Sequence, residues 1–159
     1  MEIRESAMKN IINQEDEIEM LNRLKWLDEK DRPRWGKMNV NEMVCHLSDQ
    51  IRLAIKLKSA EYAGNKKHEK LLKYIVLLGI PAPKGKVETV KELKQGDGGT
   101  KPTEFYSDKA ELITLIKKFN VAFNESETVQ HPVFGYLNKK EWGRIIYIHL
   151  NHQLNQVGR

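Results

Sequence analysis

Glu141-Trp142-Gly143-Arg144-Ile145-Ile146-Tyr147-Ile148-His149-Leu150-Asn151-His152-Gln153-Leu154-Asn155-Gln156 reads as an amphipathic helix whose apolar stripe turns polar half way along. Successive residues on an α-helix turn by about 100°, so positions three and four apart share a face. Trp142, Ile145 and Ile146 define that face, and Leu or Ile would continue it on the next turn; His149 and then Gln153 stand there instead. Polar groups at inward positions need partners, because an unpaired buried donor or acceptor is costly. Just upstream, Asn138 and Glu141 form a capping-box-like start for this helix.

A second helix carries a similar interruption. Asn39 and Glu42 make a capping-box-like pair in front of Met43, Leu47, Ile51, Ala54 and Ile55, and His46 breaks into that stripe near Met43, Leu47 and Leu53. Two helices that each aim an imidazole at a shared core suggest a metal site. His149 can pair with His152 or with Gln153 on its own helix, and with His46 this gives two or three neutral nitrogen donors plus an amide oxygen. Imidazole suits Zn, Ni, Cu and Fe, and three protein ligands with one open position are what a catalytic site requires. The plainer reading is a pair of half-buried histidines satisfied by neighbouring carbonyls or carboxylates. His68 sits among Lys66, Lys67 and Lys70 and reads as surface, whereas His131, before Pro132, reads as a turn residue ahead of the last helix.

Working outward, helix signals recur and strands are hard to find. Asn13 can cap a helix whose first turn carries Glu15, Asp16 and Glu17, with Ile18, Leu21 and Leu24 as its apolar stripe. Ser107 is the expected cap of another, with Leu112, Leu115, Ile116, Phe119 and Phe123 at i, i+3, i+4, i+7 and i+11. Between them, Lys66 to Leu78 reads as a short helix stopped by Gly79 and Ile80-Pro81-Ala82-Pro83, and Gly96-Asp97-Gly98-Gly99 with Pro102 marks a loop. The expectation is an all-α fold: one domain over 1–159, four long helices in a bundle, and an irregular lysine-rich crossover over 66–105 containing a short extra helix.

Composition bounds the rest. With 159 residues and 40% hydrophobic residues the chain has material for one core. Its single cysteine, Cys45, excludes an intramolecular disulfide, and the N-terminal residues lack the apolar core of a signal peptide, which predicts a cytoplasmic setting. The longest apolar run, Tyr74 to Ile80, falls far short of the ~20 residues that cross a bilayer, so no membrane span is expected. From Lys56 to Lys101 eleven lysines face five acids, so the net charge of +5 is regional. That segment has no arginine and no nucleic-acid-binding motif, which favours a solvated lysine-rich surface over a nucleic-acid partner.

Arg34-Trp35-Gly36-Lys37-Met38 leading to Met43-Val44-Cys45-His46-Leu47, then His131-Pro132-Val133-Phe134-Gly135, then Glu141-Trp142-Gly143-Arg144 through Gln156 together resemble the DinB-like superfamily of helical-bundle proteins, in particular a largely uncharacterised branch. The likeness runs in order over most of the chain. It implies a four-helix bundle, often a homodimer, with a divalent metal such as Zn or Ni on three histidines. One of these matches His46, and the other two match His149 and position 153, where this chain has Gln153. In the family's final stretch two histidines are adjacent, and only the first, His152, is kept. The third contact is therefore Gln153 through its amide oxygen or His152 from the next position, or the site is degenerate. The resemblance further implies an enzyme that transfers a low-molecular-weight thiol to an electrophile. The alternatives are a metal-dependent hydrolase, or a non-catalytic, stress-associated binding bundle.

Overall fold

A computed structural model describes residues 8–80, 90–94 and 96–159. It is mostly helical, with a small two-stranded sheet. In chain order come α1 (Gln14–Lys25), α2 (Val40–Ala54), α3 (Glu69–Leu77), a 3-10 turn (Lys91–Leu93), α4 (Phe105–Ala122), β1 (Thr128–His131), β2 (Gly135–Asn138) and α5 (Lys139–Gln156). Among the described residues no helix is long and apolar enough to cross a membrane. The expected helix stop at Pro81 to Pro83 and the crossover residues 81–89 lie outside the described residues.

Both capping boxes form as expected. Asn39 and Glu42 at the start of α2, and Asn138 and Glu141 at the start of α5, each exchange side-chain-to-backbone hydrogen bonds of 2.9 to 3.0 Å. These satisfy N–H groups that a helix start leaves without partners, and so fix where the two histidine-bearing helices begin. α2 packs along α4, α5 crosses both α1 and α2, and α3 lies outside against α5 and β2. Their inward faces meet in one core that includes Leu47, Ile51, Leu112, Ile116, Phe119 and Trp142, all fully buried. The segment before α1 docks on α5 at Gly143, where the Ile11 N–H bonds the Gly143 carbonyl (3.2 Å); a Cβ at this position would collide with Asn10 and lie 2.9 Å from Ile12.

Three expectations are corrected. The buried face of α1 is Asp16, Met20 and Leu24, and Ile18 is half exposed. Leu24 is buried as expected, while Asp16 takes an inward position by accepting the Asn10 N–H (2.9 Å) and pairing with Lys9 (2.9 Å). α4 begins before Ser107: Glu104 is the cap, and its carboxylate accepts the N–H groups of Tyr106 (3.0 Å) and Ser107 (2.8 Å). A carboxylate at a helix start gains from the positive end of the helix dipole as well as from those bonds.

The third correction is the hairpin, since no strand pair was expected. β1 and β2 are antiparallel, with His131 opposite Gly135 and Thr128 opposite Asn138. The loop Pro132-Val133-Phe134 is three residues long and is closed by Gly135 at φ +76°, a left-handed conformation in which glycine meets no steric penalty. The His131 ring sits inside the turn, where its Nδ1 accepts the N–H groups of Val133 (3.1 Å) and Phe134 (3.2 Å). The turn role expected for His131 is the one it has. Burial holds this imidazole down to about 3, so it stays neutral and serves as an acceptor.

Candidate functional site

α2 and α5 bring His46 and His149 together. Their Nε2 atoms are 3.0 Å apart and their rings meet edge to face, with centroids separated by 4.8 Å. Gln153, one turn beyond His149 on the same face of α5, is buried beside them with its Nε2 3.5 Å from the His149 Nε2. The Gln153 Oε1 is buried with no hydrogen-bond partner. Among the described residues, no group of three or more His, Cys, Asp or Glu is arranged to hold a metal ion. The third side chain at this point is an amide.

The far sides of the two rings decide the chemistry of the near sides. His46 Nδ1 lies 2.8 Å from the Leu93 carbonyl oxygen, which can only accept, so that nitrogen carries the proton. His149 Nδ1 lies 2.6 Å from the Gln50 Oε1, and in this orientation the same reasoning puts the proton on Nδ1. With both Nδ1 atoms protonated, the two Nε2 atoms face one another across 3.0 Å with no proton between them, a repulsive contact that a proton or a shared cation would relieve. Burial lowers the His46 pKa against opposing contributions from the Leu93 carbonyl and Asp49. His149 is pushed well below the ordinary imidazole range by desolvation first, and then by His46, His152 and His131 nearby. Two neutral imidazoles thus meet beside the Gln153 amide, whose N–H group faces His149 while its Oε1 is left without a partner.

The elements behind the site hold these groups in place. Leu93 belongs to the 3-10 turn, and the loop that follows it folds back so that the Gly98 N–H bonds the Lys91 carbonyl (2.8 Å). Asp49, fully buried beside Gln50, accepts from the Thr100 N–H (2.7 Å) and hydroxyl (2.6 Å) and pairs with Lys58 (2.9 Å) and Arg52 (3.0 Å). Burial alone would raise the Asp49 pKa, but the Thr100 bonds and Lys58 hold it below the usual carboxylate value. Its charge is thus used to hold the loop that delivers the Leu93 carbonyl to His46.

The remaining sequence candidates lie elsewhere. His152 is exposed on the outside of α5 and does not join His46, His149 and Gln153; its side chain leaves His149 by about −60° around the helix where that of Gln153 leaves by about +40°. His68 is exposed, as expected of a surface residue. Burial pushes the Cys45 thiol up to about 12, which leaves it protonated and unreactive. Gln50 is the site residue that sequence reading missed. It stands one turn after His46 on the same inward face of α2, a polar residue in an apolar stripe, and that interruption was the available signal.

Several lysines of the basic region are committed to ion pairs, among them Lys56 with Glu127 (2.7 Å) and Lys73 with Glu141 (2.9 Å). An open depression of about 400 Å³ lies between the end of α2 and β1, lined by Leu53, Lys56, Lys58, Ala60, Val129 and Gln130 among others, and none of the histidines lines it. Comparison with known protein families, with curated proteins and with solved structures finds no match for this chain.

Proposed function

We propose that the chain is a DinB-like four-helix bundle, with α1, α2, α4 and α5 as its helices, in which His46, His149 and Gln153 hold a divalent cation. The observation that carries this reading is the pair of Nε2 atoms 3.0 Å apart, with an oxygen placed behind the Nδ1 of each ring. Two nitrogens on a tetrahedral Zn with bonds of roughly 2.0 to 2.1 Å are about 3.3 Å apart, so the observed spacing needs only a few tenths of an ångström of opening. Gln153 contributes the buried Oε1 that has no other partner. An amide oxygen is a weaker donor to Zn or Ni than imidazole, which makes this a lower-affinity site than three histidines would give.

On this reading the protein is an enzyme that transfers a low-molecular-weight thiol to an electrophile. The cation's contribution would be to lower the pKa of a bound thiol so that the thiolate is available at neutral pH. The chain's own part is to orient the two neutral imidazoles through the Leu93 carbonyl and the Gln50 amide oxygen. One observation favours the second reading, a non-catalytic bundle with a degenerate site: the Gln153 amide presents its N–H group rather than its oxygen to His149.

Substitution at position 153 separates the two. Gln153→His replaces the amide with an imidazole one turn from His149 and is expected to tighten zinc binding by about 10-fold or more, read by calorimetric titration of metal-free protein. Zinc binding that is absent from both proteins, with the variant folded, would remove the metal reading. Equal affinity in the two would show that position 153 makes no contact with the ion.

A further inference from the structure

We infer that Gln50 is the positioning residue that decides which ring nitrogen of His149 carries the proton, and so keeps the His149 Nε2 lone pair turned toward His46. The effect on cation affinity rests on the reading given above; the assignment of the proton does not. Gln50 is buried, lies one turn after His46 on α2, and sets its Oε1 2.6 Å from His149 Nδ1. An amide oxygen accepts and never donates, so Nδ1 must be the N–H of the pair. The Gln153 amide agrees from the other side, because its N–H group faces the His149 Nε2 at 3.5 Å, where only a lone pair is tolerated.

Without that oxygen the balance reverses. His46 has its proton fixed on Nδ1 by a backbone carbonyl, so its Nε2 is an acceptor 3.0 Å from the His149 Nε2. If His149 loses its Nδ1 acceptor, the more favourable form places the proton on Nε2, where it can donate to His46. That bond closes the pair and consumes the lone pairs a cation would need. Leu93 orients His46 through the backbone, which no side-chain substitution removes; Gln50 orients His149 through a side chain, which makes it the adjustable half of the site.

The test compares wild type, Gln50→Leu and Gln50→Glu, all checked for folding by far-UV circular dichroism. Long-range proton–nitrogen NMR on metal-free protein distinguishes a protonated from an unprotonated ring nitrogen. Wild type and Gln50→Glu are expected to carry the His149 proton on Nδ1, since both supply an oxygen, and Gln50→Leu to carry it on Nε2. Zinc titration of the same proteins should show affinity about 10- to 100-fold weaker in Gln50→Leu and no weaker than wild type in Gln50→Glu. A wild-type His149 protonated on Nε2, or a Gln50→Leu protein that keeps the Nδ1 proton or full zinc affinity, would overturn the inference. If the protons sit as expected but wild type takes up no zinc, the assignment of Gln50 stands and the cation reading fails.

Discussion

Trp142→Ala is expected to destabilise the protein by about 3 to 5 kcal/mol, the range for deleting a large aromatic side chain from a packed core. Trp142 is 0% exposed and sits on the inward face of α5, where its Nε1 donates to the Val129 carbonyl of β1 at 2.9 Å. The His131 ring lies against it with centroids 5.0 Å apart. Removing the indole therefore leaves a cavity, strips the Val129 carbonyl of its partner and uncouples the hairpin from α5. Those losses add, because neighbouring core groups relax only partly into the space. Equilibrium unfolding in urea checks the figure. A loss below about 1 kcal/mol would mean that the hairpin and α5 are not held together as described.

His149→Ala is expected to weaken zinc binding by more than about 100-fold, since removing a direct donor should exceed the 10- to 100-fold effect typical of an outer partner. His152→Ala should stay within about twofold of wild type, as expected for an exposed side chain away from the site. The contrast between two histidines three residues apart is the informative part, because both are imidazoles on one helix and only His149 faces His46. Calorimetric titration of the two variants reads it directly. Loss of binding in His152→Ala with His149→Ala unaffected would mean that His152, not His149, is the residue of α5 that holds the ion.

The helices that carry the site were legible because their caps are chemical signals in the sequence. Asn39 with Glu42, and Asn138 with Glu141, each mark a helix start, and the apolar spacing that follows runs long enough to fix the inward face. His46, His149 and Gln153 stood out for the same reason, as polar residues in apolar stripes. The hairpin was hidden by its size: strands of four residues are too short for alternation to register, and its decisive feature is the left-handed Gly135 after Pro132-Val133-Phe134. On α1 the sequence offers two overlapping stripes, and the one that is buried carries Asp16, which contacts Lys9 and Asn10 in the segment just before the helix. Glu104 displaced Ser107 as a cap because a carboxylate accepts two N–H bonds at once. The Leu93 carbonyl that sets the His46 proton comes from the short 3-10 turn, and no side-chain pattern announces it.

The central claim is that one cation is shared by His46, His149 and Gln153. Anomalous X-ray scattering at the zinc edge, on crystals of wild-type protein grown with zinc, tests it most directly. A single strong peak bonded to both Nε2 atoms at roughly 2.0 to 2.1 Å is expected, with the Gln153 oxygen turned toward it. Absence of a peak there, with the two Nε2 atoms still 3.0 Å apart as in a hydrogen bond, would contradict it.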